Sequence, residues 1–185
     1  MKVFLPLVFL FSLFCREPQK KQPVIAAEAN TMQAKIIQHA YEGNEIETGH
    51  TTPQQIVAFA QTLIGTPYKY ASIDPDEGFD CSGFITHVFN HFNIAVPRSS
   101  VDFTNVGKQV NVAQAKPGDI VLFTGTDNAI RTVGHMGIIT NNSNHLFEFI
   151  HSTSGKANGV TITPLNGYYM GRFMKVIRIF TQNDN

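Results

Sequence analysis

The chain has 185 residues, 14 basic and 14 acidic side chains, and a hydrophobic fraction of 43%. That length and apolar content suit one folded domain with a short extension. A formal net charge of zero, with no basic run beyond Lys20-Lys21, removes the electrostatic case for a nucleic-acid partner.

At the N-terminus, Met1-Lys2 precedes an apolar run from Val3 to Cys15, and a charged stretch follows from Arg16 to Lys21. The run falls short of the roughly 20 residues that cross a bilayer as a helix. A basic start with a short apolar segment is the pattern of an export signal, so residues 1–15 are expected to direct the protein to the cell envelope. Cys15 stands where a bacterial lipoprotein signal carries its lipid-attachment cysteine, although Phe14 occupies the place of the usual small residue. Lipidation, cleavage elsewhere and retention at the membrane all stay open. Residues 16–50 read as a polar tether, with a helical spacing at Met32, Ile36 and Ile37, and are expected to lie outside the core.

The folded domain is expected over 51–181. Thr52-Pro53-Gln54-Gln55 combines an N-cap, a proline at the first helical position and a capping-box glutamine. Ile56, Phe59, Ala60 and Leu63 then form one apolar face, and Gly65 is a natural stop. After a loop through Thr66-Pro67-Tyr68 to Gly78, a second helix is expected from about Cys81 to Phe92. Its stripe of Phe84, Ile85, Val88, Phe89 and Phe92 marks it as the central buried helix. Pro97-Arg98-Ser99-Ser100 opens a shorter helix, with Ser99 as cap and Asp102 three residues on. Beyond Pro117-Gly118 the pattern changes to short β-rich segments: Ile120–Phe123, Gly134–Thr140, Leu146–Ser152, Val160–Thr163 and Phe173–Phe180. Helices first and about five antiparallel strands afterwards predict an α+β fold.

Only two cysteines occur, Cys15 and Cys81. Once Cys15 is lipidated or removed, Cys81 is a lone thiol in an exported chain, either buried filler or a group kept for chemistry. Asp80 is a good N-cap, which places Cys81 in the first helical turn, where the helix end favours thiolate. Ser82 and Gly83 are small enough to admit a substrate backbone. A thiolate nucleophile needs a base and an orienting group, and seven histidines are available. His135 lies in Gly134-His135-Met136-Gly137, and His151 ends the strand that starts at Leu146. A hairpin centred on Ser143 pairs these two histidines on one face, with Cβ atoms about 4.5–5.5 Å apart. A one-residue slip would send them to opposite faces. His87 and His91, four apart on the Cys81 helix, read as solvent-facing polar positions and not as metal ligands. His39 and His50 fall in the tether, and His145 in a turn.

Asp80-Cys81-Ser82-Gly83, Pro97-Arg98-Ser99-Ser100, Pro117-Gly118-Asp119-Ile120-Val121-Leu122-Phe123, Gly134-His135-Met136-Gly137-Ile138 and His151, taken together and in this order, resemble the NlpC/P60 family. These are papain-like cysteine peptidases that cut bacterial cell-wall peptides. The resemblance covers about residues 52–180. It implies Cys81 as nucleophile, His135 as base and His151 as the orienting residue, without a cofactor or metal. It also implies Tyr68 beside the oxyanion, and Asp80 and Ser82 in contact with the substrate's free amine. Arg98 is either a partner for a substrate carboxylate or a structural tie of its loop. The expected substrate is an amide bond of the peptidoglycan stem peptide, in the γ-D-glutamyl and diaminopimelyl region, attacked by a monomeric enzyme held to the membrane by its signal or a lipid. The competing readings are an amidase or acyltransferase with the same Cys-His chemistry and an inactive wall-binding lipoprotein. The sequence departs from the family where a glycine pair often follows the second aromatic. Here Tyr70-Ala71-Ser72 is followed by the acidic stretch Asp74-Pro75-Asp76-Glu77.

Overall fold

In the computed structural model of the chain, residues 45–127 and 129–184 are described. The export segment, Cys15, His39 and most of the tether lie outside them. Helix α1, Pro53–Thr62, starts as the sequence predicts. Thr52 accepts a hydrogen bond from the Gln55 backbone, and the Gln55 side-chain oxygen accepts one from the Thr52 N–H. Helix α2, Cys81–His91, is capped by Asp80 and buries Phe84, Ile85, Val88 and Phe89 completely. Burying each such side chain stabilises the fold by about 1.5–3 kcal/mol, so this stripe fixes the helix on the sheet.

The acidic stretch between the two helices is not a loose insertion. Strands β1 (Ile73–Asp74) and β2 (Gly78–Phe79) pair as a small hairpin around it, and Lys69 bridges Glu77 at 2.6 Å. Ala71, where the family pattern favours glycine, sits in the left-handed region at φ 61°. Ser100–Asn105 forms the expected short helix as a 3-10 segment, but Ser99 makes no side-chain cap hydrogen bond.

The main sheet has six strands and not about five. Lys108–Val110 (β3) was not anticipated and forms one edge. Ile120–Thr124 (β4), Val133–Ser143 (β5), Leu146–Thr153 (β6), Gly159–Pro164 (β7) and Phe173–Arg178 (β8) complete the order β3-β8-β4-β5-β6-β7. Every pairing in it is antiparallel. Both faces are covered, which explains the unbroken apolar run of β4. Ile120 and Leu122 join the core under α1 and α2, with Met136, Ile138 and Ile150. Val121 and Phe123 point the other way, into a second core with Ile139, Phe149, Val176 and Tyr169. Tyr169 comes from α3, Gly167–Arg172, a short helix capped by Asn166 that the sequence reading did not foresee. The core also reaches into the tether, since Ile46 packs against it.

A buried ionic network closes the domain. Asp119 has no exposed surface and accepts from Arg178 Nε at 3.1 Å and Nη2 at 2.9 Å, Asn183 at 3.1 Å and the Lys116 backbone at 2.8 Å. It ties the Pro117-Gly118-Asp119 turn to the last strand and to the final 3-10 segment, Thr181–Asp184.

Candidate active site

Asp80 holds the start of α2. Its Oδ1 accepts from the Gly83 N–H at 2.5 Å and from the Ser82 hydroxyl at 3.2 Å. Arg98 grips the same carboxylate with two N–H···O bonds, at 3.2 and 2.8 Å, and reaches Ser82 Oγ at 3.0 Å. Asp80, Ser82 and Arg98 are thus one cluster beside Cys81. The loop-tying role weighed for Arg98 is the one its hydrogen bonds display. Gly83 makes room for its own chain: a Cβ there would lie 2.0 Å from the Ser72 carbonyl, so its missing side chain admits the preceding loop.

Cys81 is partly exposed in a cleft of about 990 Å³ whose lining includes Tyr68, His135, Thr163, Tyr169 and Arg172. Its Sγ lies 4.0 Å from the Gly134 carbonyl oxygen, one residue before His135. The helix start does not leave this thiol ionised. Burial and then the Asp80 carboxylate push it up to about 11, against the smaller opposing pull of the Ser82 and Cys81 backbone N–H groups and Arg98. The resting group is a neutral thiol. Tyr68 lines the same cleft as Cys81, and its hydroxyl pKa is raised by burial and by Cys81 and Asp80.

The histidines meet, by a different register from the one counted on the sequence. The turn is Asn144-His145, both with positive φ (52° and 62°), so Ser143 pairs with Leu146. Carried through unchanged, that register would put His135 and His151 on opposite faces. A bulge at Thr140 shifts the pairing by one residue, from Asn141↔Glu148 to Ile139↔Phe149. The two histidines therefore share a face but stand diagonally. Gly137 is the residue across from His151, and a Cβ on it would come 3.2 Å from the His151 Cβ and 2.6 Å from the Phe149 ring.

His135 Nε2 lies 2.8 Å from His151 Nδ1, and His151 Nε2 lies 2.9 Å from Thr163 Oγ1. The rings cross nearly at right angles, and Phe123, Phe149 and Tyr169 surround them. Burial, then His151 and Arg172, hold His135 well below the usual imidazole value. Burial and then Arg172 push His151 down to about 3. Both imidazoles are neutral at rest.

Thr163, Tyr169 and Arg172 escaped the sequence reading. The one local signal was Asn166, an N-cap whose side chain accepts from the Tyr168 and Tyr169 N–H groups and sets the turn that carries Tyr169 and Arg172. His87 is not simply solvent-facing either. It is half-buried and packs on Phe79 at 4.9 Å and Phe59 at 6.0 Å between ring centroids, while His91 stacks on Phe59 at 3.7 Å. No group of three or more His, Cys, Asp or Glu with metal-binding geometry occurs among the described residues.

Comparison with known proteins extends the residue pattern. A gamma-DL-glutamyl hydrolase of Bacillus subtilis is 33% identical over 135 residues, 73% of this chain and 32% of that protein. A probable endopeptidase NlpC of Escherichia coli is 33% identical over 123 residues, 64% of this chain and 73% of that protein. This chain spans between about a third and a half of the length of several of its curated relatives, the gamma-DL-glutamyl hydrolase among them. Among solved structures, an NlpC/P60 family protein of Bacillus cereus superposes with a TM-score of 0.63 at 25% identity, over 72% of this chain and 42% of that one. The NlpC/p60 domain of the peptidoglycan hydrolase SagA gives 0.57 at 25% identity, over 69% and 99%. The NlpC/P60 family pattern itself matches residues 65–178, the span from the loop before Tyr68 to the last strand of the sheet, and on that match the chain belongs to the NlpC/P60 family.

Proposed function

We propose that the protein is a cysteine peptidase that hydrolyses amide bonds in peptidoglycan stem peptides, in the γ-D-glutamyl and diaminopimelyl region. The observation that carries this reading is the ordered relay His135–His151–Thr163 in the cleft that Cys81 enters from a helix start. Two tautomer sets satisfy these contacts, because the Thr163 hydroxyl can accept or donate, and base catalysis by His135 requires the one in which it accepts. If Thr163 Oγ1 accepts from His151 Nε2–H, His151 Nδ1 is a lone pair and accepts from His135 Nε2–H. His135 Nδ1 is then the free base.

The chemistry starts from a neutral pair. As Cys81 Sγ attacks the scissile carbonyl, His135 Nδ1 takes the thiol proton, so no thiolate need accumulate. Charge that develops on the carbonyl oxygen meets the Cys81 N–H at the start of α2 and the Tyr68 hydroxyl. The imidazolium then gives its proton to the leaving amine as the C–N bond breaks. A water, deprotonated by the same nitrogen, hydrolyses the thioester. Asp80 and Ser82 flank Cys81 and meet the substrate's free amine on the acyl side, and Arg98, half-exposed, holds the pair in place. The names of the relatives support the substrate class: one is a probable peptidoglycan endopeptidase and another a gamma-DL-glutamyl hydrolase. The export segment over 1–15, with or without a lipid on Cys15, would place a monomeric enzyme in the envelope beside that substrate.

Purified muropeptides incubated with the protein and with Cys81→Ala test the reading. Wild type is expected to release products that mass spectrometry assigns to stem-peptide hydrolysis, and the variant none. Equal cleavage by both would sink the mechanism.

A further inference from the structure

Three arginines among the described residues are tied to the site or the core, and their surroundings differ. Arg98 is paired with Asp80, and Arg178 with Asp119 and Asp184. Arg172 is only 6% exposed, yet no carboxylate lies within ion-pair distance of it among the described residues. Its Nη1 donates to Tyr168 Oη at 2.7 Å and its Nη2 to the Thr124 carbonyl at 2.8 Å. Its Nε is buried without a partner. Of the five guanidinium N–H groups, three are therefore unused. The Tyr168 and Tyr169 rings, 5.1 and 5.7 Å from Cζ, offset part of the charge but supply no anion.

A buried guanidinium without a counter-ion is costly, and this one lines the catalytic cleft. Lys156 also lines it, and no Asp or Glu does among the described residues. With both site histidines neutral, this part of the cleft is net positive.

We propose that Arg172, assisted by Lys156, is the anchor of a carboxylate-binding subsite for the leaving-group side of the substrate. The inference rests on the peptidase reading above and adds a specificity to it. The side follows from the chemistry. His135 must deliver a proton to the leaving amine, so that part of the substrate lies over His135. Arg172 lines the same cleft as His135, and the Tyr169 ring that lies 5.7 Å from its Cζ also stacks on His135 at 6.0 Å. Asp80 and Arg98 form a separate cluster at the start of α2 and are not among the residues that line this cleft. The ligand class is a peptide whose first residue after the scissile bond carries a free carboxylate, which the planar fork of an arginine can take with two N–H···O bonds.

The test compares two synthetic peptides with the same γ-D-glutamyl bond to a diamino acid. In one the diamino acid keeps its free carboxylates, and in the other they are carboxamides. Wild type is expected to prefer the carboxylate peptide by ten-fold or more in kcat/KM, mainly through KM. Arg172→Gln is expected to bring the ratio between the two peptides close to one, and the exposed Lys156→Ala to lower it by a few-fold. Because the readout is a ratio, a general loss of activity does not imitate it. Equal slowing on both peptides, or no preference in wild type, overturns the proposal. If wild type cleaves neither peptide, the chosen bond is wrong. Calorimetric binding of the free diamino-acid peptide and its carboxamide to Cys81→Ala, with and without Lys156→Ala, then decides. Tighter binding of the carboxylate form that Lys156→Ala weakens supports the subsite, and equal binding of the two forms overturns it.

Discussion

The sharpest physical consequence of the site is a dependence of stability on acid. His151 has no exposed surface, and burial together with Arg172 brings it to about 3 from an ordinary 6.5. Unfolded, it takes a proton as pH falls through about 6.5; folded, it stays neutral down to about 3. Between those values the unfolded chain binds more protons, so stability falls as pH falls, while above about 6.5 His151 contributes no pH dependence. From pH 7 to pH 5 the loss from this one ring is about 2 kcal/mol, by linkage at 1.36 kcal/mol per pH unit over the window in which the two states differ. His135, depressed by burial and by His151, adds a slope of the same sign. His151→Asn removes the titrating ring and leaves a side-chain oxygen that can accept from His135. The assay is urea unfolding at pH 7, 6 and 5, followed by far-UV circular dichroism because the chain has no tryptophan. Wild type should lose about 2 kcal/mol more than the variant between pH 7 and 5. Parallel losses in the two proteins would show that His151 can be protonated inside the fold, and would refute the neutral relay.

The thiol gives a second pH test. With Cys81 pushed up to about 11, its alkylation by iodoacetamide in the resting protein should climb steadily from pH 7 to pH 10; a plateau already reached by pH 6 would reveal a preformed thiolate–imidazolium pair. Asp119→Ala leaves Arg178 with Asp184 alone as an ion-pair partner and should cost about 3 kcal/mol in urea unfolding, and a loss under 1 kcal/mol would mean that water and Asp184 replace the carboxylate. Ala71→Gly relieves a left-handed residue at φ 61° and should raise stability by up to about 1 kcal/mol; any loss measured by thermal melting counts against strain at that turn.

What was legible in the sequence was local. The starts of α1 and α2 are written in Pro53, whose ring presets the first helical turn, and in Thr52, Gln55 and Asp80, whose side chains accept from backbone N–H groups three residues away, and the helices begin where those residues say. Strand β3 could not be read in the same way, because Lys108-Gln109-Val110 is short, mostly exposed and paired with Val176, Ile177 and Arg178 from the far end of the chain. Helix α3 has six residues and no apolar repeat, so only its cap carried a signal. The ionisation of Cys81 shows the same divide. The helix end is a local feature and does pull toward thiolate, but burial is a property of the assembled fold, and here it is the larger effect.

The hairpin shows why a site can be foreseen for a reason that is only partly right. Counting outward from Ser143 put His135 and His151 on one face, and they do share one. The true turn lies further along, and its positive-φ pair Asn144-His145 sets a pairing of the opposite parity. Only the extra residue at Thr140 restores the face. The cost is visible in the Thr140 hydroxyl, buried without a partner. Straightening the strand would do more than part the histidines. It would turn Met136 and Ile138 out of the core under α2 and drive His135 into it, so the packing of the first core and the geometry of the relay are held by the same irregularity. Such bulges leave no composition signal, because what defines them is the difference between two registers and not any residue. The apolar alternation on either side of Thr140 nevertheless demands one. Ile138 must face the helices and Ile139 the second core, while Ser143 must meet Leu146 across the turn. An even count satisfies the first requirement and an odd count the second, and one unpaired residue between them is the smallest change that satisfies both.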